Sequence, residues 1–223
     1  MVNPIPDTAQ EVIHETWETG AKKSAFCYQD AQRIGYRSWS ASGCLDMEYG
    51  INDGKMHGAF RTWHENGQLC EHAFYEHGKE HGITKQYDET GRLLGSYAME
   101  HGTGIDLWFV EPGIVTVERH YQYGVRHGYE RWWTGDNQTI SQESHFWQGC
   151  EHGIFRHWNA AGRLRRGYPS YFVGGQRVTT RQYERACRTD PTPPVFVASE
   201  NTPLRQLPQA LRKQSEASSV SIS

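Results

Sequence analysis

Twelve histidines stand among 223 residues, and six of them, His57, His77, His81, His101, His127 and His152, directly precede a glycine. Imidazoles at a regular spacing are raw material for a metal site or for acid–base chemistry. A metal site needs several ring nitrogens within about 2.1 Å of one ion, and His77 with His81 is the best local pair for one. The five cysteines, Cys27, Cys44, Cys70, Cys150 and Cys187, are odd in number and widely spaced, with no Cys-x-x-Cys pair. They read as free thiols in a reducing compartment. The sequence holds no GxSxG, no HExxH and no phosphate-binding glycine loop opening a helix. The expectation is therefore a protein without a catalytic centre, a cofactor or a metal ion.

The glycines beside the histidines show what must position them. Four five-residue motifs recur, at Gly54 to Gly58, Gly78 to Gly82, Gly124 to Gly128 and Gly149 to Gly153, with a shortened copy at His101-Gly102-Thr-Gly104. Their second glycines are separated by 24, 22, 24 and 25 residues. Five residues after each comes an aromatic: Trp63, Tyr87, Phe109, Trp133 and Trp158. The series extends to Trp17 and Trp39 on one side and Tyr183 on the other. A further glycine, as at Gly43, Gly67, Gly91, Gly113 and Gly162, follows four residues after most of these aromatics. A period in this range marks a repeat architecture. Each half-unit is too short for a helix, and Glu65-Asn-Gly67 and Glu89-Thr-Gly91 are hairpin-turn chemistry, because glycine accepts positive φ. The unit reads as a β-hairpin, and the fold as all-β: a single-layer antiparallel sheet of tandem hairpins of about 24 residues.

Strand periodicity then assigns faces. Ala59, Arg61 and Trp63 share one face; so do Ile83, Lys85 and Tyr87, then Ile105, Leu107 and Phe109, then Tyr129, Arg131 and Trp133, then Ile154, Arg156 and Trp158. The middle position is basic in four of these five triplets. Counting back from the outlying aromatics adds Arg37 and Arg181. A basic stripe of Arg37, Arg61, Lys85, Arg131, Arg156 and Arg181 should run beside an aromatic stripe. Arginine stems can lie over neighbouring rings, which is a structural use of the stripe. The other use is a ladder that meets an acidic partner or anionic head groups. The candidate partner-binding residues are this stripe together with Trp63, Trp132, Trp133 and Trp158, since exposed tryptophan flanked by arginine is the makeup of an interface hot spot.

Composition bounds the rest. The net charge of -3 and pI near 6.5 give no bulk basic surface for nucleic acid. No run approaches the ~20 apolar residues of a spanning helix, and no secretory signal is visible at the start, so a cytoplasmic location is expected. All 23 glycines lie between Gly20 and Gly175, whereas five of the nine prolines follow Arg188. Residues 1–26 read as an N-terminal cap or degenerate repeat, 27–187 as the hairpin repeats, and 188–223 as a Pro/Ser-rich flexible tail. Within the tail, Leu204, Leu207 and Leu211 are spaced for one short amphipathic helix.

The pattern GKxHGxxxxWxENGQL, as in Gly54 to Leu69, and its second copy GKEHGITKQYDETGRL resemble the MORN-repeat variant, and the resemblance extends over about Tyr28 to Tyr183. The Gly102 unit, two residues short, and the longer turn at Gly135 depart from the pattern and should bulge the strip. The variant is typical of bacterial antitoxin or immunity proteins called YwqK-like. The resemblance implies a cytosolic immunity protein that neutralises a cognate protein toxin by occlusion. MORN repeats also occur in scaffolds that bind anionic lipid or protein partners, which is the alternative reading. The family has no catalytic residues to carry over.

Overall fold

The computed structural model describes residues 5–208. They form two units, one ending at His101 and the other beginning at Gly102. The first holds β1 (Gln10–Thr16), β2 (Lys22–Gln29), β3 (Gln32–Trp39), β4 (Leu45–Asn52), β5 (Lys55–Trp63), β6 (Leu69–Glu76), β7 (Lys79–Glu80), β8 (Gly82–Tyr87) and β9 (Leu93–Glu100). The second holds β10 (Thr103–Glu111), β11 (Ile114–Gln122), β12 (Val125–Trp133), β13 (Ile140–Trp147), β14 (Cys150–Glu151), β15 (Gly153–His157), β16 (Ser170–Val173), β17 (Gln176–Val178) and the helix α1 (Thr180–Cys187). Within each unit the strands pair antiparallel in chain order, as a tandem of hairpins requires.

Two kinds of turn alternate. The two-residue turns place both central residues at positive φ, as in Asp53-Gly54 (48° and 74°) and Gln148-Gly149 (48° and 83°). That geometry matches the twist of the flanking strands, which is why a glycine opens each motif. The four-residue turns close with a glycine such as Gly67, whose N–H donates to His64 O at 2.8 Å.

The recurrent histidine has a structural task. His81 Nδ1 accepts the backbone N–H of His101 at 3.2 Å, and His152 Nδ1 accepts that of Gly174 at 3.0 Å. His57 makes the same approach to His77, at 3.5 Å. In the shortened copy Thr103 stands in the histidine's place, and its Oγ1 accepts the Tyr123 N–H at 3.0 Å. In these four repeats the side chain ties down the turn of the following hairpin and satisfies a backbone donor that the ladder leaves over, whereas the equivalent His127 Nδ1 has no partner among the described residues.

On one face of the first unit Phe26, Tyr36, Tyr49 and Phe60 oppose one another across four strands, with ring centroids 5.1 to 6.5 Å apart. In the second unit the sheet gains a cover. Thr179 caps α1 in a capping box with Gln182, and the helix lays Tyr183 against Tyr171 and Ile154.

Three expectations change. Tyr183 and Arg181 belong to α1, not to a degenerate hairpin, because the sheet ends at β17 and the chain turns back over its face. The division at 26/27 falls inside β2, which is continuous with the repeats. The flexible reading from 188 onward is narrowed: residues 188–208 lie against the second unit, with Leu207 buried and Tyr183 Oη donating to Pro194 O. Leu204 is exposed, and no helix runs through it and Leu207. The rest of that expectation, Leu211 included, lies outside the described residues.

Candidate functional site

The basic stripe forms, but it is not a stripe of free positive charge. In the first unit, cross-strand register sets Arg37 opposite Glu48, Glu48 opposite Arg61, Arg61 opposite His72 and His72 opposite Lys85. Directly opposed residues share a face, so this row is one line of side chains. Arg37 Nε donates to Glu48 at 3.2 Å and its Nη1 to Glu11 at 3.1 Å; Arg61 Nη1 donates to the other Glu48 oxygen at 2.9 Å. In the second unit the row reads Leu107, Glu118, Arg131, Glu143, Arg156. Arg131 bridges Glu118 at 3.1 Å and Glu143 at 2.9 Å, and Arg156 reaches Glu143 at 2.9 Å.

Segment 196–207 closes the second row from above. Arg205 grips Glu143 with Nε at 2.9 Å and Nη2 at 2.8 Å. Glu200 accepts from Arg156 Nη2 at 3.2 Å, and Asn201 Oδ1 accepts from Arg156 Nε at 3.0 Å. Backbone pairing fixes the segment: Ile140 N–H donates to Pro203 O and Arg205 N–H to Gln138 O, both at 2.9 Å. Phe196 packs on the Ile154, Tyr171 and Tyr183 cluster. Beside the segment lies a cleft of about 930 Å³, walled by Tyr129, Arg131, Glu143, Arg205 and Leu207.

Burial raises the cost of an ionised Glu143, yet Arg205 and Arg131 outweigh it and hold the carboxyl at about 2. Glu143 raises the Arg205 guanidinium in return, against the burial that lowers it. Such a network is well satisfied only while all members are present. In the first unit burial lowers His72, and the nearby Arg61 and Lys85 lower it further, so this ring is neutral. Its Nε2 is buried and without a hydrogen-bond partner among the described residues.

The aromatic candidates divide. Trp133 and Trp158 are core residues, 5% and 2% exposed, with Nε1 donating to Glu118 at 3.1 Å and to Asn201 O at 3.4 Å. Neither is available to a partner in this state. Trp63 is half-buried, and Trp132 is 41% exposed on the opposite face from Arg131. Of the basic candidates, Arg156 is enclosed, Arg37, Arg61 and Arg131 are ion-paired and partly covered, and Lys85 and Arg181 are exposed. Glu48, Glu118 and Glu143 were missed by the reading of first half-units alone. They occupy the matching place in the second halves, with His72 and Ser96 between them at the same steps. Counting that half of the repeat would have found them.

Glu76, His81 and His101 also come together, with potential ligand atoms within 4.8 Å of one another. His81 Nδ1 accepts a backbone N–H, so its Nε2 carries the ring proton and has no lone pair to offer an ion. The pair of imidazole rings is stacked at 4.2 Å, an arrangement suited to packing.

Among the described residues no helix is long and apolar enough to cross a membrane. No curated protein matches the chain. Residues 56–77, which span the β5–β6 hairpin carrying Arg61 and His72, match the family described as MORN repeat variant, and that repeat suggests a scaffold that binds protein or lipid.

Proposed function

We propose that this protein works by binding another protein along its repeat face, and that in the cytoplasm it serves as an immunity protein, neutralising a cognate toxin by occlusion. One observation carries the binding half of this reading. The second unit already holds a peptide segment, its own residues 196–207, across the row of Glu143 and Arg156 by ion pairs, backbone pairing and a partly buried phenylalanine. A sheet that grips one peptide this way is suited to grip another, because its charged groups are preorganised by cross-strand partners and need little ordering on contact. The toxin half comes from the resemblance of the Gly54–Leu69 and Gly78–Leu93 patterns to antitoxin repeats. Neutralisation of Arg37, Arg61, Arg131 and Arg156 by Glu48, Glu118 and Glu143 removes most of the positive ladder that a lipid surface would need.

The test is capture with the tagged full chain from its source organism, followed by co-expression. The expected result is a stoichiometric protein that arrests growth alone and is silenced by this chain. Partners that are all harmless when expressed alone would overturn the immunity reading.

A further inference from the structure

The same repeat positions are covered in one unit and bare in the other. Ile154, Arg156 and Trp158 are 1%, 1% and 2% exposed, shut under Phe196, Glu200 and Asn201. Their counterparts three motifs earlier are Ile83, Lys85 and Tyr87. Ile83 is 57% exposed, Lys85 is exposed and Tyr87 is half-buried.

Charge separates the two places further. In the second unit each arginine of the row faces a glutamate on the neighbouring strand. In the first, His72 stands between Arg61 and Lys85 where a glutamate would stand. Arg61 has Glu48 alone as its anion, and Lys85 makes no ion pair among the described residues. The neutral His72 adds no compensation, and its buried Nε2 has no partner there. The row Arg61–His72–Lys85 therefore carries surplus positive charge beside an uncovered isoleucine.

We propose that this face of the first unit is a docking site for an acidic segment of another protein, seated as residues 196–201 are seated on the second unit, with a single 3-10 turn between its apolar and its acidic side chain. The occupant places an apolar side chain on Ile83 and, four residues later, a carboxylate on Lys85 and Arg61. That spacing is the one between Phe196 and Glu200, which occupy the apolar and basic positions of the covered triplet. The carboxylate supplies the anion that the row lacks, and the apolar contact removes an exposed isoleucine from water. This assignment rests on the reading of the protein as a binder and names where and by what chemistry it binds.

The probe is a fluorescently labelled peptide with the sequence of residues 194–203, in which Glu200 is the one charged side chain, titrated into the full chain and read by anisotropy. The second unit is already occupied by its own copy of this segment, so the bare face of the first is the open seat. Saturable one-to-one binding in the range of about 1–100 μM is expected, weakening as salt rises. Lys85→Glu and Ile83→Asp, both at exposed positions, should each weaken it about tenfold or more without changing the melting temperature. A probe carrying lysine at the Glu200 position should lose as much. Arg92→Glu, at a turn, should leave binding unchanged.

No saturation up to about 1 mM, or equal affinity for the Lys85→Glu chain, would overturn the proposal. So would a dimer of the free chain that Lys85→Glu dissociates, which would give the face to a second copy. Binding to anionic vesicles that depends on Lys85, with no peptide binding, would give it to lipid. The two readings fail separately. A captured toxin whose affinity ignores Lys85→Glu keeps the proposed function and removes this site; peptide binding with no toxin captured does the reverse.

Discussion

Glu143→Gln is the sharpest perturbation of the second unit. The Glu143 side chain is 2% exposed and accepts from Arg131, Arg156 and Arg205 at 2.8 to 2.9 Å. Its fall from an ordinary 4.5 to about 2 corresponds to about 3 kcal/mol of folded-state preference for the anion at neutral pH. Glutamine fills the same volume but leaves three guanidinium groups short of an anion, a loss of roughly 3–5 kcal/mol for a buried pair with one partner removed. For a chain of this size each kcal/mol moves Tm by about 2–4 °C, so a drop of roughly 6–20 °C is expected at pH 7. The folded carboxyl titrates below the unfolded one. Its contribution is therefore complete above about pH 4.5 and is lost as pH falls toward 2. Thermal melts by circular dichroism at pH 7, 5, 4 and 3 read this directly: the gap between wild type and variant should be constant down to about pH 5 and then narrow. A gap under about 2 °C at pH 7, or one that does not change with pH, would refute the view that this network carries stability the single-layer sheet cannot draw from a deep core.

Further outcomes follow from the same geometry. Trp133→Phe removes a buried Nε1–H that donates to Glu118 and should cost about 1–3 kcal/mol in urea melts, whereas Trp132→Phe, on the exposed face, should fall within about 0.5 kcal/mol of wild type. Gly153→Ala places a Cβ 2.7 Å from His145 Cβ at a φ of 145°, so a loss of about 1–3 kcal/mol or more is expected in the same melts. His145 is held below its ordinary 6.5, burial being the chief cause, and His72 is lowered in the same way. Both fold in the neutral form, so urea midpoints should decline as pH falls below about 6.5; a flat midpoint between pH 8 and pH 5.5 would contradict their burial as neutral rings.

The hairpins were legible in the sequence because backbone geometry leaves little choice of residue. Asp53-Gly54 and His77-Gly78 must sit at positive φ, and glycine marks such places whatever the surroundings. The histidine before the second glycine was equally visible as a pattern, but its use was not. The bond from the next unit's turn to His81 Nδ1 joins residues 20 apart, and only the paired strands bring them together. The helix over Thr180–Cys187 went unread for a different reason. Its single buried residue is Tyr183, whose place in the aromatic series fits a strand equally well, so tertiary contact with Tyr171 decides the matter.

The charged row shows where period alone stops. Counting offsets from the glycines in the first half of each unit located Arg61, Lys85, Arg131 and Arg156, and the sheet does align them on one face. Whether a charge is free depends on the strand between, and there the occupants differ: Glu48, His72, Ser96, Glu118 and Glu143. A repeat that kept glutamate at every one of these places would be neutral and self-satisfied along its length. This chain keeps it at the start of the first unit and through the second, replaces it with His72 beside Lys85, and sends its own C-terminal segment to the second unit, with Glu200 on Arg156 and Arg205 on Glu143. Stability and availability are thereby assigned to different units of one repeating surface. The closed row of Glu118, Arg131, Glu143 and Arg156 is held too tightly to yield cheaply, and the open row of Arg61, His72 and Lys85 is where an incoming carboxylate gains most.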